Sequence, residues 1–118
     1  TRMAENCIFF FFSHKEIPTN FVYEDETVVA FKDLEPQAPV HVLVIPKKHI
    51  ESLLAVTAED QQLVAHITCE VIPRLARELG IAAKGFRVVA NTGDEGGQSV
   101  KHLHFHLLGG RSMQWPPG

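Results

Sequence analysis

The sequence predicts an α+β fold, and three observations carry that expectation. Five short runs are rich in β-branched and aromatic residues, two of them are separated by a single polar pair, and one long stretch carries a helical apolar stripe. The tight turn makes its two strands antiparallel, and strands outnumber helices, which places the chain in the α+β class.

Cys7 to Phe12 is apolar on every side and too short to show a period; it is read as a short helix. Phe21–Glu24 and Thr27–Lys32 flank Asp25-Glu26 as a hairpin. A third strand, Val40 to Ile45, is punctuated by Pro39 and Pro46. Thr57 can cap a long helix, with Glu59 and Asp60 in its first turn and Gly80 at its end. Val64, Ile67, Val71, Leu75 and Leu79 recur at helical spacing between them, and Pro73 should kink the pattern. Two last strands, Phe86–Asn91 and His102–Leu108, are joined by a loop containing Gly93, Gly96 and Gly97. No repeat, linker or second domain is visible, so residues 3–118 read as one domain, with Thr1 and Arg2 ahead of Met3 left out of the functional reading.

The chain has 118 residues, 45% hydrophobic and 21% charged, a balance that suits one globular domain with apolar surface to spare for a second copy. A net charge of −3 argues against a nucleic-acid partner held by a broad basic face, but leaves room for a small anion. Cys7 and Cys69 are far apart and show no disulfide-framework spacing, so a reducing, cytoplasmic setting is expected. No apolar run is long enough to span a bilayer, and no membrane partner is expected.

The stretch His102-Leu103-His104-Phe105-His106-Leu107-Leu108 alternates imidazoles with apolar side chains. On a strand, the three imidazoles share one face and the apolar residues the other. From this strand alone, metal ligation and nucleophilic or acid–base chemistry are both open. The preceding Gly96-Gly97-Gln98-Ser99 shifts the balance to phosphorus, because backbone N–H groups beside glycines can approach an anion closely. An ordinary turn between strands is the plainer alternative for that loop. A histidine nitrogen can attack phosphorus and carry the group covalently.

Together with Gly109-Gly110-Arg111, Trp115-Pro116-Pro117-Gly118, the segment from Asp33 to His41 and Val44-Ile45-Pro46-Lys47-Lys48-His49-Ile50, the motif resembles the histidine triad (HIT) family, in its Hint branch of nucleotide-binding proteins. The resemblance covers nearly all of the chain from Cys7 onward. It implies a single HIT domain, an antiparallel five-stranded sheet with one long and one short helix, and a homodimer that joins two sheets through the long helix and the Gly85–Asn91 strand. It also implies a purine nucleoside phosphoramidase that needs no cofactor.

By the same resemblance, His104 is the nucleophile and His102 fixes its tautomer. His106, with His41 beside it, contacts phosphate or moves a proton, and Ser99 assists the leaving amine. Asp33 would grip the ribose hydroxyls, while Leu34, Phe31, Ile8 and Phe9 would wall the base. Asn91, Gly97 and Gln98 would lie near the phosphate. Some bacterial relatives hold a structural zinc with a Cys-x-x-Cys pair and two histidines. Here Cys7 keeps the first position but Phe10 takes the second, and Cys7, His49 and His102 fall short of the four ligands of a closed site, so no metal is expected. The competing functions are a dinucleoside polyphosphate hydrolase of the neighbouring branch, against which the Trp115–Gly118 tail speaks, and a nucleotide-binding adaptor with incidental activity.

Overall fold

Five strands alternate their side chains between a helix-covered face and a face that carries His41 and His106. A computed structural model describes Phe9 and residues 20–118. The strands are β1 (Phe21–Glu24), β2 (Val28–Lys32), β3 (Val40–Pro46), β4 (Phe86–Val89) and β5 (Phe105–Gly109). They form one sheet in the order β1-β2-β3-β5-β4, every neighbouring pair antiparallel. The expected short helix at Cys7–Phe12 lies, apart from Phe9, outside the described residues.

The β1–β2 turn is held by one side chain. The Asp25 carboxylate accepts the backbone N–H groups of Thr27 and Val28, both at 2.8 Å, along with the Tyr23 hydroxyl. An aspartate that satisfies the turn's own amides is a local reason for the chain to reverse there.

The long helix forms in three joined pieces: α1 (Gln61–His66), a π-helical turn (Ile67–Val71) and α2 (Ile72–Glu78). Pro73 is the reason for the middle piece. Proline offers no N–H and its ring crowds the carbonyl four residues back, and the wider turn just before it absorbs the mismatch without a break. The extra residue also shifts the buried stripe, so Ile67, Val71, Ile72, Leu75 and Ala76 are buried with Leu63 packed beside them, while Val64 stays only half-buried. Thr57 caps a 3-10 turn (Ala58–Asp60) that leads into α1, where the Asp60 carboxylate accepts the Thr57 N–H at 3.0 Å. At the other end Gly80 takes φ +78°, and the N–H groups of Gly80 and Ile81 bond back to the carbonyls of Arg77 and Ala76. That arrangement closes the helix and turns Ile81 into the core.

Val28 and Ala30 of β2, Val42 and Val44 of β3, and Phe105 and Leu107 of β5 pack under the helix. Val29, Phe31, Leu43 and Ile45 form a second cluster with Phe9 on the opposite face. Among the described residues, no helix is long and apolar enough to cross a membrane.

Strand β5 begins at Phe105, three residues later than the sequence suggests. Its pairing with β3 stops at Val44↔Phe105. Pro46 lies a little further along β3 and has no N–H to continue a ladder. Beyond that point the chain is held instead by Leu103 N–H to the Ile50 carbonyl at 2.6 Å and by the His102 ring. Strand β4 likewise ends at Val89, before Asn91.

Candidate active site

Register brings the central residues together. Leu43 is opposite His106 and Leu108 opposite His41, so His41, on the histidine-bearing face of β3, lies diagonally across from His106 on β5. Asp33 follows β2 directly, its N–H held by the His41 carbonyl at 3.0 Å, and its carboxylate lies 3.4 Å from His41 Nε2. His104 and His106 are 5.0 Å apart between ring centroids. Phe9 meets His104 edge-on at 5.0 Å and Phe31 at 5.7 Å. The structure therefore gathers Asp33, His41, His104, His106, Phe9 and Phe31 at one place.

Hydrogen-bond partners fix which nitrogen carries the proton on each neutral ring, because a carbonyl can only accept and a backbone N–H can only donate. His104 Nδ1–H donates to the His102 carbonyl at 2.6 Å, which leaves the lone pair on Nε2. That nitrogen bonds to no described group and is not sealed from solvent. On the other arm, the Gln37 N–H donates to His41 Nδ1 at 3.0 Å, so His41 Nε2 carries the proton and donates to His106 Nδ1 at 2.9 Å. His106 Nε2 is then the protonated nitrogen. Two adjacent imidazoles thus present opposite functions, a lone pair on His104 and an N–H on His106.

Burial keeps these rings neutral. It pushes His104 and His41 below the ordinary histidine value, the Asp33 charge pulling the other way in both. Burial lowers His106 to about 4, with the neighbouring His104 and His41 adding to the shift. A neutral imidazole is the form that can act as a nucleophile.

The His102 ring is not where a direct orienting role would need it. It is fully buried, donates Nε2–H to the Pro46 carbonyl at 2.8 Å and has its Nδ1 3.0 Å from His49 Nδ1. His104 is held by the backbone carbonyl of His102, not by its imidazole. Since His102 precedes β5, its ring can turn to the Pro46–His49 segment while its carbonyl faces His104.

The glycine loop also differs from expectation. The Gly97 N–H is spent on the Asp94 carbonyl and the Gln98 N–H on the Gly93 carbonyl, each at 3.0 Å. The Gln98 side chain is buried, accepts the Gly93 N–H and donates to the carbonyls of Glu51 and Val100. Neither amide is free to cradle an anion; both brace the loop. Gly96 is needed for the same reason, as a Cβ there would lie 2.3 Å from the Thr92 carbonyl oxygen. Ser99 is exposed and Asn91 half-buried, and no hydrogen bond among the described residues ties either to the imidazoles. Leu34 is 93% exposed, whereas Phe31 and Phe9 are buried against each other, so the two rings form a floor more than an open wall. Ile8 lies outside the described residues.

Asp33, His41 and His106 could also hold a cation, their ligand atoms lying within 4.8 Å of one another, although the hydrogen bond between the two histidines already accounts for that closeness. At the place of the second cysteine Phe10 supplies no ligand atom, Cys7 lies outside the described residues, and His49 and His102 lie with their Nδ1 atoms 3.0 Å apart. Sequence reasoning missed Gln37, which acts through its backbone N–H and whose carbonyl is held by Arg111 Nε–H at 3.0 Å. A backbone donor leaves no mark in residue type. A depression of about 800 Å³ among Gly80, Lys84, Phe86, Arg87 and Arg111 includes none of the imidazoles.

Residues 14–113 match the HIT domain model. An uncharacterized HIT-like protein of Synechococcus elongatus is 53% identical over 116 residues, covering 98% of this chain and 100% of that protein. A HIT family hydrolase from Legionella pneumophila superposes with a TM-score of 0.92 at 47% identity, over 96% of this chain and 100% of that one. A histidine triad protein from Clostridium difficile gives 0.88 at 48% identity, over 92% and 94%.

Proposed function

Because the chain belongs to the HIT domain family, we propose that it is a nucleotide-binding hydrolase that cleaves the P–N bond of purine nucleoside phosphoramidates through a nucleotidyl-histidine at His104. The observation that carries this reading is the pair of opposite tautomers 5.0 Å apart. The His104 Nε2 lone pair forms the N–P bond while the bond from phosphorus to the amine breaks. The amine takes up a proton as it leaves, passed from solvent through the Ser99 hydroxyl and the His106 Nε2–H, so that both groups end neutral. Water then displaces the imidazole and releases the nucleoside monophosphate. His106 N–H also offers a hydrogen bond to a phosphoryl oxygen as charge develops there. Asp33, at the rim of the imidazole group, is suited to two vicinal ribose hydroxyls, since a carboxylate has acceptor capacity to spare.

The protein acts, on this reading, as a homodimer. Strand β4 is a sheet edge, and its Phe86 and Val88 are each 40% exposed. An edge with apolar side chains is stabilised by pairing with a second copy.

The decisive experiment is rapid acid quench with adenosine 5′-phosphoramidate, followed by peptide mapping. An adenylyl group on His104, absent in His104→Ala, is expected. An adduct on His106 or Ser99, or full turnover by His104→Ala, would overturn the assignment. Turnover of a diadenosine polyphosphate in preference to the phosphoramidate would move the protein to the neighbouring branch.

A further inference from the structure

The nucleophile's orientation depends on a carbonyl that the sheet does not hold. His102 lies ahead of β5, beyond the last β3–β5 pair, yet its carbonyl is what accepts His104 Nδ1–H. Something else must keep that peptide in place. Residues 102 and 103 are pinned to the end of β3 and the segment after it at three points: His102 Nε2–H to the Pro46 carbonyl, Leu103 N–H to the Ile50 carbonyl, and the contact between His49 and His102. The direction of the last follows from the first. With its proton on Nε2, neutral His102 has a lone pair on Nδ1, so His49 Nδ1–H is the donor.

We propose that His49 is a positioning residue for the nucleophile, acting through the His102 ring to fix the peptide carbonyl that holds His104 in its Nδ1–H tautomer. The proposal builds on the phosphoramidase reading. His49 is half-buried against His102, at 4.9 Å between centroids in an edge-on arrangement, so a side chain that cannot donate would take away the hydrogen bond at His102 Nδ1 and weaken the hold on the ring.

The test compares His49→Leu, which removes the donor, His49→Asn, which keeps an N–H at the place of Nδ1, and His49→Gln, which carries it one bond further out. Two readouts are taken on the full-length chain: long-range ¹H–¹⁵N NMR of the histidine rings, which reports the His104 tautomer without any substrate, and steady-state kinetics on adenosine 5′-phosphoramidate. The wild type should show His104 as Nδ1–H. His49→Leu should show a mixed tautomer, with kcat lowered by roughly 10- to 100-fold, the size of effect that misplacing a reacting group produces. Its KM should stay within about twofold, because His49 is not assigned to substrate contact. His49→Asn should recover most of both readouts, and more of them than His49→Gln. An unchanged His104 tautomer in folded His49→Leu would overturn the proposal. So would Asn and Gln variants that both match the wild type, which remains decisive even if the Leu variant does not fold. A wild type with no turnover but the expected NMR response would instead count against the phosphoramidase reading alone.

Discussion

Replacing His41 separates a residue that sets a proton's place from one that reacts. His41→Phe keeps a ring of similar size on β3 but removes two hydrogen bonds, from the Gln37 N–H at 3.0 Å and to His106 Nδ1 at 2.9 Å. The first loss costs little, since Gln37 is exposed and water can take its N–H, while Arg111 still holds its carbonyl. The second removes what directs the His106 proton to Nε2. A neutral hydrogen bond contributes a net stabilisation of about 0.5–1.5 kcal/mol, and 1.4 kcal/mol is tenfold in population, so the competent tautomer should fall by about 2- to 10-fold. We expect kcat on adenosine 5′-phosphoramidate to fall by a similar factor, with a folded protein by circular dichroism. His41→Gln, whose amide N–H can donate toward His106, should recover part of the loss. A fall of about a thousandfold or more would refute the reasoning, because that scale belongs to a group that takes part in bond making. So would an unchanged rate.

Asp33→Ala should weaken a purine ribonucleotide far more than its 2′-deoxy analogue, by about 1.5–3 kcal/mol for a hydrogen bond to a charged group; calorimetric titration showing equal losses would remove the ribose contact. Acid should destabilise the fold between pH 6.5 and about 4, because His106, His104 and His41 bind protons more readily when unfolded than when buried. The melting temperature should therefore rise with pH across that window, and a flat profile would contradict it. His66 has the opposite sign: its hydrogen bonds to Asp25 and Glu70 raise its folded value. Its contribution is complete below the unfolded value of about 6.5 and is lost as pH rises through the folded one, so His66→Ala should cost more stability at pH 6 than at pH 9. Val88→Lys, which puts a charge on the β4 edge, should turn a dimer by light scattering into a monomer; a wild type already monomeric at micromolar concentration would sink the pairing.

Runs of β-branched and aromatic residues bounded by turn residues and prolines made the sheet legible. They did not show which side chain faces which way in β3, where Val42 and Val44 face the helix while Leu43 and Ile45 face away and all four are apolar. The helix stripe was legible at Ile67, Val71, Leu75 and Leu79 and missed only at its start, where Leu63 takes the place of Val64 against the core, since a π turn adds a residue without any change in composition. At the site, His104 and His106 stand side by side as the alternation implies, and His41 and Asp33 join them through strand register. What residue types could not carry was the main chain. The loop amides of Gly97 and Gln98 are turned inward by the loop's own closure, and the donors and acceptors that decide the tautomers are the Gln37 amide and the His102 and Pro46 carbonyls.

That dependence on main-chain groups explains how one residue type can supply two different functions within 5.0 Å. His104 and His106 have the same side chain, lie on the same segment and are both held neutral by burial. Only their Nδ1 partners differ. A carbonyl at His104 Nδ1 demands a proton there and leaves Nε2 basic, whereas His41 at His106 Nδ1 brings its own proton and leaves Nε2–H as a donor. The difference traces to the backbone of His102 in one arm and of Gln37 in the other, each fixed by a contact outside the imidazole pair, His49 and Pro46 for the first and Arg111 for the second. Substitutions at these outer contacts should therefore alter proton positions while leaving the His104 and His106 rings in place, and the sequence motif alone gives no sign of which arm does which.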